Sequence, residues 1–173
     1  MTDRPQPVDR VADYLSVAGA EARLEEFSVG TPTAQAAADA VGCGLDQIVK
    51  SLVFVCDGAA VLALVPGDRR ADSDKVARAA GAASARIAKA REVEEATGFP
   101  PGGVAPFGLP RGIRVVLEQS LLSHSVVWAG GGSDRHMVRL APRELARLTR
   151  AEGADLVQDA YDSPDHADAD KEP

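Results

Sequence analysis

The first regular pattern along the chain is helical. Val11, Tyr14, Leu15 and Ala18 fall at i, i+3, i+4 and i+7, and Gly19 stands where a helix would stop. A short strand is predicted at 24–29. The stretch TPTAQAAADAVG then offers Thr33 as an N-cap, an alanine-rich helix and Gly42 just past its end. Asp46 is placed to cap a short turn leading into the apolar run IVKSLVF, residues 48–54. From Ser51 onward LVFVCDGAAVLALVPG forms two apolar runs joined at Asp57-Gly58, a dipeptide that favours a tight hairpin. Both runs are almost continuously apolar, which predicts central strands covered on both faces.

Farther along, Asp72 and Ser73 cap a helix through Lys75, Val76 and Ala79 that ends at Gly81. A strand at 85–87 precedes a second small helix, 92–97, closed by Gly98. Residues 99–112, FPPGGVAPFGLPRG, are more than half Pro and Gly, a density that forbids regular structure. The interleaved Phe99, Val104 and Phe107 make this a packed loop and not a linker. Strands are predicted at 114–117, 126–129 and 136–140, with Gly130-Gly131-Gly132 between the last two, and Pro142 opens a final helix through Leu145 and Leu148. There is no regular βαβ alternation and no internal repeat. The expected fold class is therefore α+β, a single domain with a mixed, largely antiparallel sheet flanked by helices.

Composition narrows this picture. A chain of 173 residues suits one domain with a real core, and aromatic content of 4% means that Val, Leu, Ile and Ala must build it. The formal charge of −7 argues against a nucleic-acid partner until it is located along the chain. From Glu152 onward eight acids face Lys171 alone, so residues 1–151 are electrically balanced. Within them the first 57 residues are acidic, while 58–150 carry fourteen bases against nine acids, enough for a locally basic face. The domain is drawn as residues 1–151, followed by an acidic tail, 152–173. Cys43 and Cys56 are too few and too far apart for a metal or redox motif and read as small buried thiols. No stretch approaches the ~18 consecutive apolar residues of a membrane span, so no membrane partner is expected and the default location is cytoplasmic.

Three stretches can carry chemistry. Lys50 is the one cation inside an apolar run, and an unpaired ammonium is costly to desolvate. Either it reaches water from the start of its strand, as lysines do readily, or it faces a cleft and waits for a phosphate, hydroxyl or carbonyl oxygen. Gly102 to Pro106 is a Pro/Gly crossover whose glycines would also let backbone N–H groups approach a ligand closely. GGGSDRH, residues 130–136, is a glycine turn that delivers His136, a side chain able to donate, accept or shuttle protons near neutral pH, into a strand. His124 and His166 lack ligand-spaced partners, so no metal and no cofactor are expected. No hydrolytic nucleophile motif is present either.

Taken together, TAQAAADAVG…QIVKSLVF, LVPGDRRADSDKVARAAGA, TGFPPGGVAPFG and WAGGGSDRHMVRLAPRELARL resemble the YbaK/ProX family of aminoacyl-tRNA deacylases, whose fold also serves as the editing domain of bacterial prolyl-tRNA synthetases. The resemblance spans residues 10–150 in order. It implies a barrel-like YbaK fold and a trans-editing hydrolase that cleaves the ester of a mischarged tRNA, tRNA(Pro) carrying Cys, Ala or another small amino acid. Prolyl-tRNA synthetase is implied as a further partner. Lys50 matches the family's essential lysine, and Gly102, Gly103, Val104, Ala105 and Pro106 match its GxxxP loop, with Phe107 beside it. Gly130 and Gly131 fall on the turn that faces the terminal adenosine, and His136 matches a histidine of the alanine-editing branches. The chain departs from the pattern at three positions: Gly130 replaces the serine, and Met137 the aspartate, of the cysteinyl type, while Ser51 replaces the asparagine that follows the lysine in the alanine type. The resemblance thus leaves the amino acid open. It also leaves open a non-catalytic module that binds aminoacyl-adenosine, tRNA or a synthetase.

Overall fold

Two open sheets meet where the apolar run carrying Lys50 begins. The computed structural model describes residues 4–31 and 33–159. In chain order these form α1 (Gln6–Val17), β1 (Ala22–Glu26), α2 (Ala34–Val41), β2 (Val49–Cys56), β3 (Ala59–Pro66), α3 (Ser73–Ala80), β4 (Ala85–Ile87), α4 (Ala90–Thr97), β5 (Arg114–Glu118), β6 (Val127–Ser133), β7 (His136–Leu140), α5 (Pro142–Thr149) and β8 (Glu152–Ala154). Short 3₁₀ turns at Leu45–Gln47, Pro101–Gly103 and Gln119–Ser123 complete the set. The smaller sheet has the order β1-β7-β6 and the larger β4-β2-β3-β5-β8. Four of the six strand pairings are antiparallel, and β5 is parallel to both β3 and β8. This is the expected α+β domain with a mixed, largely antiparallel sheet. It is not closed into a barrel: a single parallel bridge, Ile48 to Trp128, links the two sheets among the described residues.

The centre is the β2–β3 hairpin. Asp57 and Gly58 both adopt positive φ, 49° and 85°, the pairing a two-residue turn between right-twisted strands requires. The strands pair without interruption from Val49–Pro66 to Cys56–Ala59. Alternate residues of β3 serve two cores: Leu62 and Leu64 pack with Val11, Phe99, Phe107 and Leu117 on one face, and Val61, Ala63 and Val65 with Val76, Leu156 and Val157 on the other. That double burial is why the run is continuously apolar. Thr33 accepts a hydrogen bond from Ala36 N at 3.1 Å and Asp72 accepts from Asp74 N and Lys75 N, so both capped helices start as the sequence predicts.

Four local features differ from the sequence reading. The three glycines at 130–132 lie inside β6 around a bulge between Gly130 and Ser133, and the turn is moved on to Asp134-Arg135. Asp46 sits within the Leu45–Gln47 turn instead of capping it; Gln47 Oε1 accepts from Gly44 N at 3.2 Å. The loop after Phe99 contains a 3₁₀ turn. Residues 152–157, drawn from sequence as the start of the acidic tail, add β8 to the sheet edge and bury Leu156 and Val157. Their anchor is Glu118, 2% exposed, whose carboxylate accepts from Leu156 N at 3.1 Å and from Ser120 N at 2.8 Å. The acids beyond Asp159, and His166, lie outside the described residues.

Leu117, fully buried on β5 in the larger core, tests this packing. Leu117→Ala is expected to lower unfolding free energy by about 2–5 kcal/mol, read as a reduced urea midpoint with an unchanged slope.

Candidate functional site

β4 covers only Phe54–Cys56 of β2, which leaves the first half of that strand with an open edge. The ladder fixes what that edge presents. Ile48 O accepts from Gly67 N on the β3 side, whereas Val53 O accepts from Ala88 N on the β4 side. By alternation, the backbone N–H and C=O of Ser51 point toward the uncovered side. The Ser51 hydroxyl is likewise buried without a hydrogen-bond partner among the described residues. A cleft of about 250 Å³ opens here, lined by Val49, Lys50, Ser51 and Leu52, by the Pro101–Val104 turn, by Gly130 and Ser133 of β6, and by His136 and Met137 of β7. The first turn of α2 closes it with Thr33, Ala34 and Ala37.

Lys50 neither escapes to bulk water nor stays unpaired. Its Nζ donates to Arg69 O at 2.6 Å from a half-buried position. Burial pulls its pKa below the usual lysine value, Asp68 opposes that pull and Arg70 adds to it. One ammonium proton is thereby committed and two remain to be given.

Elsewhere in the cleft lining two backbones approach closely. A Cβ on Gly103 would sit 2.8 Å from Ser133 Cα, and one on Gly130 would collide with the Val104 carbonyl oxygen. Glycine at both positions lets the Pro101–Val104 turn lie directly on β6. Gly103 N donates to Pro100 O at 2.9 Å, so that amide is used within the turn. On the hairpin beyond, Ser133 Oγ lies 2.7 Å from His136 Nδ1 and also accepts from Arg135 N at 3.0 Å. The contact fixes the ring through Nδ1, whichever of the two groups carries the shared proton, and leaves Nε2 as the nitrogen not engaged by Ser133. His136 is 5% exposed, and burial pushes its pKa below the usual histidine value, so the ring is neutral at pH 7.

Of the residues singled out from sequence, Lys50, Ser51, Gly102, Gly103, Val104, Gly130 and His136 converge on the cleft. Four do not line it. Ala105, Pro106 and Phe107 are buried behind the turn, where the Phe107 ring stacks on Tyr14 at 6.4 Å, and Gly131 is buried against the His136 backbone. Ser133, Thr31 and Thr33 line the cleft although sequence reading assigns them no role there, and Met137, noted from sequence as a departure from the family pattern, lines it too. Ser133 was the one with a legible signal, a hydroxyl three residues before a histidine across a tight turn. His124 lies elsewhere, facing Asp46 at 3.6 Å.

The model of the aminoacyl-tRNA editing domain family matches residues 29–148. A solved structure described as a candidate trans-editing enzyme for prolyl tRNA synthetase superposes with a TM-score of 0.84 at 40% identity, covering 91% of this chain and 100% of that one. A proline–tRNA ligase of Nitratidesulfovibrio vulgaris is 35% identical over 144 residues, 82% of this chain but only 23% of the ligase. A protein of Enterococcus faecalis described as a candidate Cys-tRNA(Pro)/Cys-tRNA(Cys) deacylase is 26% identical over 126 residues, 72% of this chain and 77% of that one.

Two measurements probe the geometry. Gly130→Ala is expected to push the 101–104 turn off β6 at a cost of about 1–3 kcal/mol, seen as a lower thermal midpoint with large amide shifts at Gly102 and Val104. Unmoved amides would show that the close approach does not exist. The second concerns His136, whose folded-state pKa lies below its unfolded value near 6.5, so the unfolded chain takes up the proton first as pH falls. Stability is then lost as pH drops through about 6.5, and His136→Gln should flatten that part of the thermal-midpoint profile.

Proposed function

The chain belongs to the aminoacyl-tRNA editing domain family, and on that premise we propose that it is a deacylase acting in trans on mischarged tRNA, with tRNA(Pro) carrying Cys, Ala or another small amino acid as its substrate. The observation that carries this reading is the placement of a carbonyl-held lysine across a small cleft from a glycine-walled turn and a neutral Ser133–His136 pair. An aminoacyl ester is already activated. Hydrolysis needs a placed water and stabilisation of the oxyanion, for which each well-aimed donor supplies roughly 10²–10³-fold. Lys50 would grip the 3′-terminal phosphate or ribose hydroxyls with its two uncommitted protons. The amides of Gly102 and Val104 would face the ester carbonyl, since that of Gly103 is spent within its own turn. His136 would orient the water or meet the aminoacyl group through Nε2.

The cleft volume of about 250 Å³ favours a short side chain. Because the domain also matches part of proline–tRNA ligases, docking on prolyl-tRNA synthetase is included in the proposal, as is a cytoplasmic location. Among the described residues no helix is long and apolar enough to cross a membrane.

Deacylation of Ala-, Cys-, Ser- and Thr-charged tRNA, with tRNA(Pro) first, tests this. Lys50→Ala is expected to lower kcat/KM by about 100-fold or more on the preferred substrate, the scale for losing one charged transition-state or substrate contact. Wild-type rates in that variant would remove Lys50 from the mechanism. Binding of an aminoacyl-adenosine analogue with no turnover of any charged tRNA would make the domain a recognition module instead.

A further inference from the structure

The loop whose carbonyl holds Lys50 is paired with the last described stretch of the chain. Residues 155–159 run alongside the loop 67–72. Gln158 N donates to Arg70 O at 2.8 Å, Arg69 Nη2 donates to Gln158 O at 2.8 Å, and Asp72 N donates to Leu156 O at 2.8 Å. Ala71 and Val157 form an antiparallel bridge between those bonds. Lys75, on the first turn of α3, fastens the segment: its Nζ donates to Val157 O at 2.7 Å and lies 3.0 Å from both Asp155 and Asp159. Leu156 and Val157 are buried in the core beneath α3, on the sheet face that Lys50 shares with Leu52 and Phe54.

Elsewhere the loop has few restraints. Gly67 N bonds Ile48 O at 2.8 Å and Arg69 N bonds Pro66 O at 3.2 Å, which anchors only its first half. Asp68 and Arg70 are exposed. The bonds to residues 156–158 thus flank the carbonyl that takes one proton of Lys50, holding the Arg69 side chain on one side of it and the Arg70 carbonyl on the other.

We infer that residues 155–159 are a strap that positions Lys50 through the Arg69 carbonyl, and that Lys75 is the positioning residue that fastens it. This rests on the reading of Lys50 as the cation that grips the substrate. The strap lies beyond the 29–148 segment that the family model matches, so the site depends on chain outside that segment. A carbonyl fixed on one side of the ammonium aims its remaining two protons into the cleft; a loose carbonyl would leave the ammonium to rotate toward water.

A double-mutant cycle on deacylation separates positioning from simple stability. Lys75→Met keeps the length and packing of the side chain while removing its donors, and is expected to lower kcat/KM by about 3- to 10-fold, with Lys75→Arg restoring most of the loss. In a Lys50→Ala background the same Lys75→Met change should cost nothing more. Equal losses in both backgrounds, or no loss in either, would overturn the strap. A second readout needs no activity: the rate at which Lys50 ammonium protons exchange with water, followed by ¹⁵N-edited NMR, should rise in Lys75→Met and return in Lys75→Arg. An unchanged rate overturns the inference. Failure of the functional reading looks different, since there Lys50→Ala itself deacylates at the wild-type rate while the exchange of Lys50 in the parent protein still responds to Lys75.

Discussion

Two backbones approach each other more closely than any side chain between them would permit, and the cleft depends on that contact. The Pro101–Val104 turn rests on β6 because Gly103 and Gly130 each present nothing where the other strand of chain passes. The approach is held from behind: Phe99 and Phe107, at either end of the same loop, are fully buried in the larger core. A Pro/Gly-rich segment is thereby anchored by its aromatic side chains and not by a ladder of hydrogen bonds. The bulge in β6 is part of the same arrangement. It absorbs the residues that would otherwise carry Ser133 and His136 out of register with the turn.

Lys50 answers a second constraint. A strand buried on both faces has no room for a charge except where one of its edges is uncovered, and β2 is uncovered at the end where Lys50 and Ser51 lie. Lys50 leaves along the face it shares with Leu52 and Phe54 and meets Arg69 O, while Ser51, on the opposite face, keeps its backbone turned to the open edge. Both residues line one cleft because the cleft is the edge itself.

Much of this is readable from residue order. The Asp57-Gly58 hairpin, the caps at Thr33 and Asp72, the strand at 136–140 and the anomaly of Lys50 all follow from local chemistry, and the structure retains them. What local chemistry does not carry is pairing between distant segments. Gly130 to Gly132 looks like a turn because glycine usually marks one; here each marks a close approach, Gly130 to Val104 of the earlier loop, Gly131 to the His136 backbone and Gly132 to Pro7 at the start of α1. Glu152–Ala154 has neither β-branched residues nor alternation, and becomes a strand only because β5 offers an edge and Glu118 offers a buried carboxylate. Phe107 shows the converse, since proximity in sequence to the site loop says nothing about which way a side chain faces, and its ring turns into the core toward Tyr14.

The net charge of −7 and the polyanionic substrate proposed above are reconciled by position. Among the described residues that line the cleft there is no carboxylate: Lys50 is the only formal charge, His136 is neutral at pH 7, and the other polar groups are hydroxyls and backbone. Asp68 lies close enough to act on Lys50 but is exposed at the rim, where solvent screens it, whereas the ammonium is half-buried and its field is not screened to the same degree. The eight acids from Glu152 onward supply the deficit in the whole-chain count, and two of them, Asp155 and Asp159, are matched by Lys75. What a nucleic-acid end would meet is thus a single desolvated cation in an otherwise neutral hollow. Such a site gains attraction from low local dielectric and does not require a broad basic surface. That arrangement would suit gripping one terminal nucleotide, as the proposed function requires.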